Sequence, residues 1–303
     1  MEGTLEGPPM TPRVFGVRVG IFSLGMEPGD EEFVNEFSGY GDKPSQIMWP
    51  SGIALNSQGN VYITDEWLNR ISVFDQTGMF LTVWGSSGSD NLQFNRPSGI
   101  CVDNDDNIYI VDSLNHRVQK MGSDGSFINT WGSYGDRESE FNSPWGISSD
   151  ETGHIYVVDH KNHRVQKFDP SGRFIAQLGT FGVGVGEMNR PSDVAVDLDG
   201  DVYVCDWANS RIQIFDPNGN FLTSLVGNAQ ELTKWAKHSV DSNPDIQKAR
   251  RRVHSLEPEQ RFAMPTGVTF DKIMSRLIVA DTQRYRLQIY NKVKNYTEPQ
   301  FNL

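Results

Sequence analysis

The sequence has 303 residues, 37% hydrophobic and 11% aromatic, which is long enough for a sizeable core and too apolar for a disordered chain. Its net charge is −12, with no basic stripe to displace counterions, and this argues against a nucleic-acid partner. No run of about 18 apolar residues occurs, which excludes a helical membrane span.

Met1–Thr11 lacks the apolar centre and small-residue site of a secretory leader, so the expected location is cytoplasmic. In residues 12–47, Arg13–Leu24 and Glu32–Phe37 read as strands of an N-terminal blade. Gly39-Tyr40-Gly41 reads as the loop that follows.

From residue 48 a period of 47 takes over. Pro50, Pro97, Pro144 and Pro191 keep that spacing, and Pro265 opens a fifth copy after a longer gap. Asp65, Asp112, Asp159, Asp206 and Asp281 follow the same ruler. Each is followed five residues later by an arginine: Arg70, Arg117, Arg164, Arg211 and Arg286. Independent landmarks on one period mark a repeat architecture. The copies span 48–93, 94–140, 141–187, 188–227 and 263–303.

The fourth copy shows the pattern within one unit. Pro191-Ser192-Asp193 leads into strand A, Val194-Ala195-Val196. The Asp197–Gly200 turn leads into strand B, Val202–Cys205, which ends at Asp206. Strand C, Ile212–Phe215, follows Asn209-Ser210-Arg211, and Asp216–Gly219 turns into strand D, Phe221–Val226. Period-two alternation between Gly/Asn/Asp/Pro turns is a hairpin signature. A four-stranded unit of about 45 residues cannot bury both faces alone, whereas blades set side by side around an axis cover one another. The expected fold is an all-β, six-bladed β-propeller in a single domain over 1–303. Gln300–Leu303 would complete the fifth copy or another blade. Small residues four places after each proline (Ala54, Cys101, Ser148, Ala195, Thr269) suit the narrow wedge near the axis. Cys101 and Cys205 fall in non-adjacent copies and read as free thiols.

Residues 228–262 interrupt the repeat. Leu232, Trp235 and Ala236 share a helical face. After Asn243-Pro244, the residues Ile246, Ala249, Val253 and Leu256 recur at helical spacing until Glu257-Pro258. The segment carries seven Lys/Arg against five Asp/Glu, so it is the mildly basic part of an acidic chain. It reads as a helical hairpin, packed on the rim or closing over the mouth.

The runs Pro97-Ser98-Gly99-Ile100, Ile108-Tyr109-Ile110-Val111-Asp112 and Asn115-His116-Arg117-Val118-Gln119-Lys120, repeated from Pro144 to Lys167, resemble the NHL repeat. The resemblance extends over about 48–293. It implies a propeller whose relatives include RNA-binding and protein-binding modules and, more distantly, the peptidyl-hydroxyglycine lyases. In those lyases histidines follow the proline that opens strand A and hold zinc. Here the matching positions are Ser51, Ser98, Trp145, Ser192 and Thr266, so the chain departs from that zinc pattern.

An Asp/Arg pair present in every copy reads as a brace for the B–C turn, not as five active sites. His116 and His163 sit in the repeated Asn-His-Arg slot. His154 lies in an A–B turn, His238 and His254 lie in the insert, and only His160 occupies a slot that varies between copies. The Gly-rich stretch Gly179–Gly186 precedes a proline-started strand and reads as an inter-blade loop.

Positions that depart from the repeat on one face are the best guide to a site. The loops before strand A and the B–C loops are expected to share one mouth. The unusual residues there are Trp49, Glu66, Trp67, Trp145, His160, Lys161, Asp193, Trp207 and Arg284. Several tryptophans among a few charges suit a peptide, protein or small-molecule ligand. The leading reading is therefore a binding scaffold with no cofactor. The alternative is a lyase or hydrolase using a divalent metal at the axis, with Asp193, Glu66 or His160 as ligands and no catalytic residue identified.

Overall fold

Short alternating runs joined by Asp- and Asn-started turns pair with their chain neighbours, because such turns reverse the backbone within four residues. Between strands C and D of the fourth copy, Asp216 accepts hydrogen bonds from the N–H of Asn218 (2.9 Å) and of Asn220 (2.8 Å). Gly219 takes φ 86° to complete that turn.

The computed structural model describes residues 36–229, 232–253 and 255–292. Five antiparallel meanders fill it, four with four strands and one with three. Blade 1 has strands A (Pro50–Leu55), B (Val61–Asp65), C (Arg70–Phe74) and D (Phe80–Trp84). Blade 2 has Pro97–Val102, Ile108–Asp112, Arg117–Met121 and Phe127–Trp131. Blade 3 has Ile147–Ser149, Ile155–Asp159, Arg164–Phe168 and Phe174–Leu178. Blade 4 has Val194–Val196, Val202–Asp206, Arg211–Phe215 and Phe221–Leu225, and blade 5 has Gly267–Asp271, Arg276–Asp281 and Arg286–Asn291. The register is the same throughout: the last Asp of strand B faces the first Arg of strand C in every blade.

Strand alternation sends apolar side chains to both neighbours. From blade 4, Val202, Val204 and Phe215 pack with Tyr156, Val158 and Val165 of blade 3. Tyr203, Cys205 and Ile212 pack with Val268, Leu277 and Val279 of blade 5. Burial of this apolar surface is the main force holding blade to blade. A polar tie reinforces the last junction. Lys292 Nζ lies 2.6, 2.7 and 2.9 Å from Asp197, Asp199 and Asp201 of blade 4. In blades 2 and 3 the corresponding Asp103 and Asp150 face lysines of their own strand C, Lys120 and Lys167. Blade 4 holds Ile214 in that slot, and blade 5 supplies the cation instead.

Among the described residues the blades number five, which corrects the expectation of six. Residues 36–49 are the lead-in to blade 1. Within them Tyr40 bridges Ile47 in parallel, as Tyr134 bridges Phe141, and as Ser86–Ser87 pairs with Gln93–Phe94 and Thr180–Phe181 with Glu187–Met188. This loop precedes strand A at four blades, so the part of it within 36–49 belongs to blade 1 and is not itself a further blade. The strands expected within 12–35 and at Gln300–Leu303 lie outside the described residues. Among the described residues, blades 1 and 5 each leave one face open. Ile53 is 67% and Leu287 55% exposed, whereas the equivalent Ile100 and Val118 are buried.

The same loop uses one glycine whose freedom is required. Gly132 takes φ 106°, and a Cβ there would lie 2.7 Å from Phe141 and 2.8 Å from the His116 carbonyl oxygen. The Gly-rich stretch of residues 179–186 is this inter-blade loop, as expected.

The insert forms α1 (Lys234–Ser242), α2 (Pro244–Arg252) and α3 (Glu257–Gln260). The Thr233 side chain caps α1 by accepting from Ala236 N, and the Asn243 side chain caps α2 by accepting from Asp245 N and Ile246 N. The second helix ends before Val253, and Glu257-Pro258 starts a helical turn instead of ending one. Proline is tolerated in the first turn because its missing N–H has no partner to lose there. The expected face position of the Trp235 side chain, and His254, lie outside what is described. No helix among the described residues is long and apolar enough to cross a membrane. Cys101 and Cys205 are free thiols, and burial pushes both up and keeps them protonated.

Candidate ligand-binding mouth

The repeat places two loop families side by side at one end of the blades. The N–H of Leu114, Lys161, Ala208 and Gln283, in the B–C loops, donates to Asn95, Asn142, Asn189 and Ala263, which precede strand A. The aspartate that ends strand B fastens the same junction. In blade 3, Asp159 accepts from Asn142 N (2.7 Å), Arg164 Nε (2.8 Å), Asn162 Nδ2 (2.9 Å) and Gln166 Nε2 (3.2 Å). Blades 2 and 4 repeat the set through Arg117 with Asp112 and Arg211 with Asp206, and blade 5 keeps Arg286 with Asp281. The Asp/Arg brace is thus structural in four blades. Blade 1 departs from it: the Arg70 Nε and the Ser72 Oγ are buried with no partner.

A second set of bonds, which the sequence reading missed, joins each blade to the next at the mouth. Ser51 Oγ donates to the Pro97 carbonyl (2.8 Å), Ser98 Oγ to that of Trp145 (3.0 Å) and Ser192 Oγ to that of Pro265 (3.2 Å). Ser113 Oγ donates to Pro144 and His160 Nδ1 to Pro191 (2.9 Å). The available signal was the Pro-Ser dipeptide recurring at residues 50, 97 and 191.

Upon this frame the sequence candidates fall into groups. Trp145 lies against His160, with ring centroids 4.1 Å apart, and the Trp207 ring centroid lies 6.2 Å from that of His160. Both tryptophans are half-buried and the histidine is buried. Trp49 stacks on Trp67 at 6.3 Å and 18°, with Trp67 59% exposed. Beside them Glu66 pairs with Arg96 at 3.3 Å. Burial raises the Glu66 carboxyl above its usual range, and Arg96 opposes that rise. Lys161 is exposed next to His160. Asp193 sits where strand A of blade 4 begins. Arg284 does not join these groups: its Nη2 donates to the Pro258 carbonyl in the insert (2.7 Å).

A carbonyl oxygen only accepts, so the His160 Nδ1 carries the proton and Nε2 is the acceptor nitrogen of the neutral ring. Burial pulls this imidazole down to about 4, and it is neutral near pH 7. Asp193 Oδ1 accepts from Val194 N and Oδ2 from Val268 N of blade 5, both at 2.9 Å. Burial still pushes its carboxyl up to about 7, outweighing the lowering by those two backbone bonds. Among the described residues, no three His, Cys, Asp or Glu side chains gather as metal ligands. Asp193, Glu66 and His160 each engage a different partner instead.

The family model for the NHL repeat matches residues 48–74, 94–121, 141–168 and 188–215. No curated protein matches the chain. Among solved structures, a gluconolactonase from Xanthomonas campestris is 15% identical and covers 76% of this chain and 68% of its own, with a TM-score of 0.51. A chain of the nidogen/laminin complex is 17% identical, with 80% of each chain covered and a TM-score of 0.50. Virginiamycin B lyase from Staphylococcus aureus is 14% identical, covering 80% of this chain and 69% of its own, with a TM-score of 0.49. At such identities the likeness to the gluconolactonase and to the nidogen/laminin chain shows the fold alone.

Proposed function

Since the chain is an NHL-repeat β-propeller, we propose that it is a binding scaffold that takes a peptide, protein or small-molecule ligand at the mouth formed by its B–C loops and the loops before strand A. The observation that carries this reading is the Trp145–His160–Trp207 group. Other blades hold serine at the same slots, namely Ser98 at the slot of Trp145 and Ser113 at the slot of His160 and Trp207. Ser113 already makes the inter-blade bond to the Pro144 carbonyl that His160 makes to Pro191. The fold therefore does not need aromatic rings here. Aromatic faces with polar edges suit an organic or peptide ligand. A metal-dependent activity would need converging ligands, and the three candidates for that role are each held elsewhere.

The test is Trp145→Ser and Trp207→Ser, which copy the serines of blade 2. Fragments that bind the wild type by ligand-observed NMR should lose their signals in both variants. Melting should shift by no more than roughly 2–4 °C, the equivalent of about 1 kcal/mol. Much larger melting losses in both variants would show that the rings pack the rim and serve no ligand.

A further inference from the structure

The repeat serves as its own control for blade 5. Three residues after the aspartate that ends strand B, blades 2, 3 and 4 hold Asn115, Asn162 and Asn209, each of which donates to that aspartate at 2.9 Å. Blade 5 holds Arg284 instead. Its guanidinium leaves the brace and turns toward the insert. There Nη2 meets the Pro258 carbonyl, while Nε is buried with no partner.

Arg284 lines a cleft of about 240 Å³ between the insert and the B–C loop of blade 5. Leu232 and Ala236 contribute apolar surface, Tyr285 contributes a ring, and Thr233 stands at the start of α1. The other charged residues that line the cleft, Glu259 and Arg286, are paired. Both oxygens of Glu259 are taken by Arg250, at 3.0 and 2.6 Å, and Arg286 faces Asp281 at 2.7 Å. Among the described residues, Arg284 is the one cation lining the cleft that has no acidic partner. A guanidinium that lines a cleft without an acidic partner favours an anionic oxygen there, through a charge-assisted bond. The helix N-terminus alongside favours the same sign of charge. The volume lies below that of drug-sized pockets, so the occupant is small.

We infer that this cleft is a binding site for a carboxylate carried on a short apolar or aromatic body. The carboxylate meets Arg284 and the body lies between α1 and Tyr285. The site is separate from the Trp145–His160–Trp207 group and stands or falls independently of it. A free organic acid and the carboxy terminus of a peptide offer the same chemistry.

Titration of the full chain, followed by amide shifts in NMR, tests the site with benzoate, its neutral isostere benzamide, N-acetyl-Gly-Phe with a free carboxylate, and inorganic phosphate. Saturable binding of benzoate or of the peptide acid, but not of benzamide, is expected. Preference between the two acids assigns the source. Arg284→Asn restores the residue of blades 2–4 and should weaken the acid at least tenfold. Tyr285→Asn copies Asn69 of blade 1 at an exposed position, so it should fold even if the first variant does not, and it should weaken the acid several-fold. Equal binding of benzoate and benzamide, tighter binding of phosphate than of either acid, no saturation in the millimolar range, or unchanged affinity in the variants would each overturn the assignment.

Discussion

In blade 3 the Asp159 carboxylate receives Arg164, Asn162 and Gln166 side chains and one backbone N–H. Blade 1 has the same aspartate and arginine, but Leu68 and Ser72 stand where blade 3 has Asn162 and Gln166. There Asp65 turns to the backbone N–H groups of Met48, Trp49, Trp67 and Leu68. Arg70 reaches past it to the carbonyls of Asp42, Lys43 and Gln46. The ion pair forms in the four blades whose strand C carries a glutamine that donates to the aspartate (Gln119, Gln166, Gln213 and Gln288), blade 5 included although it lacks the asparagine, and it is missing in blade 1, which has Ser72. In blade 1 Arg70 Nε and Ser72 Oγ are buried without a hydrogen-bond partner, and Ser72 is too short to take the place of the glutamine amide.

The widest gap between the two blades should appear on removing the arginine. Arg164→Met strands a buried carboxylate and should cost about 3–5 kcal/mol in urea unfolding. Arg70→Met should cost only about 1–2 kcal/mol, since it loses bonds to carbonyls and no ion pair. Equal losses would erase the distinction between the blades.

A second contrast lies at the mouth, where blade 1 holds Gly52 and Glu66 in the slots that hold Asp193 in blade 4 and His160 in blade 3. The Asp193 carboxyl is raised to about 7, so its contribution is full below about pH 4 and is lost as pH rises toward 7. His160 is lowered to about 4, so its contribution is present above about pH 6.5 and is lost as pH falls toward 4. The two oppose each other in one window. Asp193→Asn should leave stability falling on acidification, and His160→Ser should leave it falling toward neutrality, each with a slope of at most about 1.4 kcal/mol per pH unit. Urea midpoints measured between about pH 4 and 7 read the slopes directly. Variants that keep the wild-type slope would show that neither group titrates as its burial requires.

The smallest effect is a repair. Ser72→Gln gives blade 1 the amide that in blade 3 donates to Asp159 and to the Glu140 carbonyl. It should raise stability by about 0.5–1.5 kcal/mol, a gain readable as a higher urea midpoint at unchanged m-value. A loss would mean that the space around Ser72 is closed.

The strand pattern of blades 1 to 5 was legible in the sequence because turns and alternation are local: strand A of blade 4 runs over Val194–Val196 as read. The blade count was not legible. The loop containing Tyr40 and Ile47 repeats the loop ahead of blades 2, 3 and 4, and a recurring loop counts its own copies and not sets of strands. Of the mouth, the residues that break the repeat were visible, but their grouping was not. Trp145, His160 and Trp207 come from three places in the chain, and Arg284 belongs with the insert.

The sequence by itself determined the period, the strands, the turns and the slots at which copies differ, since these depend on spacing and on residue chemistry within a few positions. The tertiary structure alone decided which partners those slots meet: which aspartates are paired, which carbonyls the mouth residues hold, and which guanidinium is left without an acid. Those contacts cross from blade to blade and from insert to blade. Backbone packing over tens of residues sets them, and no local pattern encodes it.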